Sequence, residues 1–241
     1  MSNIVASQAR TVYDSNNGTT IRDRAASSAG DVVNTNQNLI LGYFFHGFVK
    51  VNYRSFLNFD LSGESGTVTA VSLTITRQNS GNFPDQFVLA SEAGDNLATS
   101  DYLDGIVGAS SYPFTSSATK FTDSADTLSD GGGVDDTITI NLNAAAVTHA
   151  NNVIGTSNRF KCVLLNTHDF LDTYDADDDG FTPSLSVVGI SSYSTDESDS
   201  SRHPVLNLTF GAATPNVGPV KLDGAKLQIV SGKFLIDWYL Y

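Results

Sequence analysis

The sequence predicts an all-β fold: an antiparallel jelly-roll β-sandwich with one short helix and a C-terminal β-ribbon appended to it. Three observations predict this. About eight short runs alternate apolar and polar residues with period two, and no βα alternation links them. Ser, Thr, Asn, Asp and Gly abound while Lys and Arg together number 13, the composition of a strand-and-loop protein. The stretch 54–61, RSFLNFDL, continues an alternation begun at Val49 and supplies a long central strand around which the other runs pack. No internal repeat is visible.

Residues 1–40 hold short strand candidates at 11–13 and 19–21, with turn chemistry between them at 15–18 (SNNG) and an Asn-rich polar stretch up to Asn38. Apolar 39–45 leads into the long strand 49–61. There Val49, Val51, Tyr53, Leu57 and Phe59 share one face and Lys50, Asn52, Arg54, Asn58 and Asp60 the other, so one face is expected to be buried. Phe56 stands among the polar positions, which requires part of the second face to be covered as well. SGESG at 62–66 is a turn, and 68–77 is the next strand. Its Val71, Leu73 and Ile75 share a face, while Val68 and Ala70 belong to the opposite phase; a bulge or a late strand start near Ala70 reconciles them. Residues 78–86 read as loop, 87–90 as a short strand and 91–133 as mostly irregular. The glycines at 131–133 turn the chain into 137–142, where Ile138, Ile140 and Leu142 face the core. Asn143 reads as the N-cap of the helix 144–153, which ends near Gly155. Then come a buried strand at 160–165, an acidic loop at 166–183, a strand at 185–190, a loop at 191–204 and a closing strand at 205–210 with Leu206, Leu208 and Phe210 on one face.

At 241 residues the chain can bury a sizeable core without staples. Its single cysteine, Cys162, excludes an intramolecular disulfide and sits in an apolar run, as a buried thiol does. The N-terminal residues show neither a basic segment nor a long apolar one, so no secretory signal is expected. No apolar run approaches the roughly 20 residues a membrane span needs. A formal net charge of −13 argues against nucleic-acid binding, which rests on neutralising phosphates, and against adhesion to anionic membranes.

The composition breaks at 211–219 (GAATPNVGP), a linker between a domain at 1–210 and a ribbon at 220–241. In the ribbon, Asp223-Gly224 fits a tight turn between strands at 220–222 and 226–230, and Ser231-Gly232 fits a second turn leading into 234–241. Phe234, Ile236, Trp238 and Leu240 lie on one face of the last strand, with Leu227 and Ile229 as apolar positions of the strand before it. The segment holds 3 Lys against 2 Asp, whereas 24 acidic and 10 basic residues precede it. Three short strands bury little alone and need a partner surface. These residues are therefore candidates for an assembly arm that adds strands to a neighbour's sheet; the alternative is that they fold back on their own sandwich. At about 25 cal/mol per Å² of apolar area, burying the four on the last strand contributes several kcal/mol per subunit.

Three segments, in order, carry a resemblance. RSFLNFDL followed by GTVTAVSLTITR resembles the opening "R-S-hydrophobic-L-x-F-D-L … hydrophobic-T-x-A-x-L-x-L" of DNRLRE-like jelly-roll modules. Residues 188–210 resemble that family's close, a loop rich in Ser, Asp and Glu before an Arg-x-Pro-x-Leu strand, matched here by Arg202, Pro204 and Leu206. The resemblance covers residues 5–210. It implies a jelly-roll module of the kind found as carbohydrate-binding or wall-associated units of secreted bacterial proteins, with similar sequences among virion structural proteins of tailed phages. The ribbon is not part of that domain pattern and suits a subunit that must dock.

The sharpest local signal is DADDDG at 175–180. Asp175, Asp177, Asp179 and Gly180 match the Asp-x-Asp-x-Asp-Gly start of a calcium loop, with the Phe181 carbonyl at position seven. Ser186 stands where a bidentate Glu is usual, no helices flank the loop, and Asp169 or Asp172 is the candidate to complete the shell. The alternative is a solvated acidic turn. Asp169 with Asp172, or Asp196, Glu197 and Asp199, would have to offer one raised and one ordinary pKa in a cleft to act as a glycosidase pair; loop carboxylates in so acidic a chain are normally solvated. His46, His149, His168 and His203 have no zinc spacing, and no nucleophile elbow or phosphate loop is present. Sugar binding needs exposed aromatic platforms; the one tryptophan, Trp238 in the ribbon, is explained more simply by core packing or an interface, which leaves Tyr102, Tyr112, Tyr174 and Tyr193 in loops as the candidates.

These readings together predict a non-enzymatic virion protein of a tailed phage, a head-decoration, fibre or tail-associated subunit made in a host cytoplasm. Its partners would be other virion proteins and copies of itself, and its one candidate cofactor is Ca²⁺. A carbohydrate-binding module recognising cell-surface polysaccharide is the alternative, and a surface-filament or wall subunit a third reading.

Overall fold

A computed structural model of the chain describes residues 1–17, 30, 32–34, 38–46, 49–79, 85–109, 112, 114, 118–125, 133–173, 186–212, 226–230 and 233–237. The chain divides into two compact units, Met1–Gly211 and Ala212–Tyr241. Both are built from antiparallel strands, as an all-β chain requires.

In the first unit the longest strand is β5 (Val49–Asp60), and it pairs with three others. One edge is covered by β2 (Gln8–Asn17) from Asn58 back to Val49. The other edge is shared: β4 (Asn38–His46) pairs with residues as far as Tyr53, and β9 (Arg159–Asn166) takes over at Ser55. The sheet therefore forks at Arg54. Beyond β4 lies β10 (Ser186–Tyr193), beyond β9 lies β7 (Gln86–Ala90), and beyond β2 lies the short β3 (Val32–Asn34). Where β4 peels away, side chains of the neighbouring strands satisfy its backbone. The Ile40 N–H donates to Thr11 Oγ1 at 3.0 Å, and Ser55 Oγ donates to the Ile40 carbonyl at 2.8 Å. A backbone group leaving a ladder inside a protein needs such partners.

A second sheet runs in the order β1 (Ser2–Val5), β11 (Val205–Phe210), β6 (Val68–Thr76), β8 (Thr137–Asn141). Its core-facing Val71, Leu73, Ile75, Ile140, Leu206 and Leu208 share one apolar cluster with Leu57, Phe59, Phe160 and Leu164 of the first sheet. The phase break in β6 is a bulge: Thr209 faces Ala70 but Phe210 faces Val68, so the extra residue Thr69 restores Val68 to the buried side. The far side of the larger sheet is also covered, as Phe56 demands. Phe56 packs with Val12, Phe87, Val163, Leu165 and Phe170 beneath loop residues such as Ile106 and Phe114.

Several expectations are corrected. The described residues hold three α-helices where one was expected. The expected one is α2 (Ala144–Val153), capped by Asn143, whose side chain accepts from the N–H groups of Ala145 and Ala146. Gly155 follows it at φ +67°, left-handed backbone that favours glycine. The other two are α1 (Asp101–Asp104) and α3 (Thr167–Leu171), both in stretches read as loop. Asn166 caps α3 by accepting from the Asp169 N–H, and Asp172 closes it at φ 52°. β1 and β3 were not expected, and β2 runs through the supposed turn to Asn17. On the polar phase of β5, Asn52, Arg54 and Asn58 are buried because helices and loops lie over that part of the face, the cover that Phe56 requires, while Asp60 is exposed. Among the described residues no helix is long and apolar enough to cross a membrane.

The second unit contains one described antiparallel strand pair, β12 (Lys226–Val230) with β13 (Lys233–Asp237), and the turn expected at 231–232 lies outside the described residues. Its register sets Leu227 opposite Ile236 and Ile229 opposite Phe234, so these four occupy same-face positions of the ladder. The expected strand at 220–222, Trp238 and Leu240 lie outside the described residues.

Candidate functional site

Two places concentrate chemistry: a buried polar cluster at the fork of the larger sheet, and the acidic loop before β11.

At the fork, Arg54 and Asp169 are both fully buried. The guanidinium grips the carboxylate through two bonds, Nε to Oδ2 and Nη2 to Oδ1, each 2.8 Å. Its Nη1 donates to the Tyr102 carbonyl at 2.6 Å, and its plane lies 3.8 Å over the Tyr102 ring and 4.7 Å over that of Phe114. The phenol of Tyr102 accepts from Asn52 Nδ2 at 2.7 Å, and Asn52 Oδ1 accepts from Asn166 Nδ2 at 3.2 Å. The remaining oxygen of Asn166 accepts from the Asp169 N–H at 2.9 Å, which closes the circuit. One network thus ties β5, β9, α1 and α3 together. A buried charge is tolerated when it is paired, hydrogen-bonded and covered by aromatic faces, and Arg54 is paired with Asp169, donates from all three of its nitrogens and lies against two rings. With Arg54 and Asp169 at 0 % exposure, neither presents a reactive group to solvent.

This geometry changes the reading of the acidic candidates. Both oxygens of Asp169 are engaged by the buried guanidinium of Arg54, so this carboxylate is held inside the body as the partner of an ion pair. Asp175, Asp177, Asp179 and Phe181, the proposed calcium ligands, lie outside the described residues. Among the described residues no group of three or more His, Cys, Asp or Glu is placed to hold a metal ion.

In the loop before β11, Asp196 accepts two bonds from Arg10, at 3.2 and 3.1 Å. The Asp199 backbone N–H holds the Glu197 carboxyl below its ordinary pKa, and the Ser201 hydroxyl and N–H do the same for Asp199. A glycosidase acid needs a shift in the opposite direction. Arg202, the arginine of the Arg-x-Pro-x-Leu pattern, pairs with Asp135 at 3.1 Å and lies 4.8 Å over the Tyr193 ring. The Pro204 carbonyl accepts from the Ala6 N–H, and Leu206 is fully buried. The residues that carry the resemblance are thus built into the body: Arg54 in the ion pair, Phe56 in one apolar cluster, and Leu57, Phe59 and Leu61 in the other.

The stacking platforms are also corrected. Tyr102 is at 0 % exposure beneath Arg54 and Tyr193 at 6 % beneath Arg202, so neither offers a face to a sugar. Tyr112 is half-buried edge-on against Phe114, its ring 5.3 Å away, and Tyr174 lies outside the described residues. Cys162 is buried and burial pushes its thiol pKa far up, so it is inert. An open cavity of about 380 Å³, lined by Thr122, Asp123, Ser124, Asn141 and Asn143 among others, sits where β8 runs into α2.

The cluster at the fork was missed by sequence reasoning, which set Arg54 on the polar face of the strand and expected only part of that face to be covered. Its one sequence signal was Phe56, two residues on and on the same face. No family model matches the chain, and no curated protein matches it.

Proposed function

We propose that this chain is a non-enzymatic structural subunit of a tailed-phage virion, a head-decoration, fibre or tail-associated protein, in which residues 1–211 form a jelly-roll body and the C-terminal ribbon is the assembly arm. The observation that carries this reading is the separate strand pair of the second unit. Two five-residue strands with Leu227, Ile229, Phe234 and Ile236 at same-face positions are marginal alone and gain stability by adding to another sheet. The virion assignment rests on the resemblance over residues 5–210. The buried fork and the low-pKa loop carboxyls support a body that is architecture rather than machinery. The carbohydrate-binding alternative loses the faces of Tyr102 and Tyr193.

Deleting residues 212–241 tests the proposal. The expected product is a soluble monomer with the circular dichroism and melting temperature of the full chain, while the full chain sediments as an assembly. A truncated chain that aggregates or unfolds would place the ribbon in the body's core and end the arm reading.

A further inference from the structure

The arm needs an acceptor, and the body's strand edges differ in their fitness for that role. The outer edge of β7 is taken, since Ala90 N–H donates to the Thr119 carbonyl and Phe121 N–H to that of Val88. β10 is met by Arg77 at Ser192. β3 has three residues. The four-stranded sheet, by contrast, ends in β1 and β8, neither of which pairs with a further strand among the described residues.

β8 is the better of the two. Leu142 N–H donates to the Val71 carbonyl, and Ile140 and Ile138 stand opposite Leu73 and Ile75. Antiparallel ladders alternate their bonded pairs, so Ile138 and Ile140 direct their backbone groups to β6 while Thr137, Thr139 and Asn141 direct theirs outward. This edge reads Thr-Ile-Thr-Ile-Asn, with no charge, proline or glycine to block a new strand. On its core side it presents apolar residues at i and i+2, Ile140 buried and Ile138 only partly so. β1 offers Ser2 and Ile4 at the equivalent positions, a single apolar residue.

Resting on the reading of the ribbon as an assembly arm, we infer that β13 of a second copy adds to the outer edge of β8, parallel to it. Phe234 and Ile236 match the spacing of Ile138 and Ile140, and both strands are five residues long. Charge selects the direction. β8 begins just after Asp136, which is exposed, and ends two residues before Asn143, the N-cap of α2, whose side chain already donates to the exposed Asp123 carboxylate at 2.9 Å. β13 begins with Lys233 and ends with Asp237. Parallel addition sets the lysine beside Asp136, whereas antiparallel addition sets Asp237 there, like against like.

Sedimentation velocity on full-length variants tests this. Thr139→Pro removes an outward N–H that no strand uses among the described residues, and Phe234→Asp disables the ribbon. Each variant alone is expected to be monomeric, and an equimolar mixture to give a one-to-one heterodimer, because one copy brings an intact ribbon and the other an intact edge. Lys233→Glu is expected to weaken assembly roughly fivefold, with Asp136→Lys restoring it. If Phe234→Asp blocks assembly while Thr139→Pro assembles like wild type, the arm stands and the acceptor is wrong. If Phe234→Asp assembles normally, the arm reading itself fails. A charge swap that does not restore assembly overturns the parallel direction. Should Thr139→Pro not fold, hydrogen exchange in the unmodified chain decides: the Thr139 amide slows on assembly, or the acceptor lies elsewhere.

Discussion

Arg54 shows how one residue reconciles a sheet that splits. At the fork neither β4 nor β9 covers its edge, and the side chain crosses beneath α1 to reach Asp169 at the start of α3. The cost of burying two charges is offset only while both partners and their hydrogen bonds are present. Asp169→Ala removes the carboxylate that grips a guanidinium at 0 % exposure and is expected to destabilise the body by about 3–5 kcal/mol. The double replacement Arg54→Met with Asp169→Leu removes both charges and is expected to cost far less, or nothing. Urea denaturation of the two variants checks this, and equal losses would show that the pair acts through packing rather than charge. Little of the cluster was legible in the sequence. Alternation identifies faces, but it does not say that a polar face will be roofed, and the roof comes from residues 102, 114 and 169, far along the chain.

At the scale of elements, legibility followed how local the causes are. α2 could be read from end to end because its cap, its run of alanines and Gly155 are all contiguous. The bulge in β6 could be read from a phase slip within one strand. α3 could not, because its five residues are too short for a period to show and its position is fixed by Asn166 and by the partner of Asp169. α2 packs on β6 and β9, and its His149 ring lies 5.4 Å from Phe121 and 5.2 Å from Phe160, with Nε2 lacking a hydrogen-bond partner among the described residues. Burial lowers the pKa of this histidine, so the folded chain binds its proton less readily than the unfolded one. Its contribution is therefore fully present above the unfolded value of about 6.5 and is lost as pH falls towards the folded value. His149→Phe is expected to remove this acid sensitivity. The gap in urea midpoint between the variant and wild type should widen from pH 7.5 to pH 5, and a gap independent of pH would show that His149 binds its proton equally well in the folded and unfolded states.

The whole molecule joins an acidic body to a near-neutral ribbon: 24 acidic and 10 basic residues up to Gly211, against 2 and 3 beyond it. That asymmetry sets the dependence of assembly on salt. Every copy added brings another negatively charged body, and repulsion between bodies reaches about 30 Å at 0.01 M salt but about 8 Å at 0.15 M. The attractive charges at the proposed contact are few, and exposed pairs of that kind contribute about 0–1 kcal/mol each. Apolar positions such as Phe234 and Ile236 act through burial, which moderate salt does not screen. Self-association is therefore expected to tighten as sodium chloride is raised from about 0.01 M to about 0.15 M. The ribbon-deleted body should remain monomeric throughout. Sedimentation at the two salt concentrations measures this directly. Assembly that instead loosens with salt would mean that charge pairs, and not the apolar face of the ribbon, hold one copy to the next.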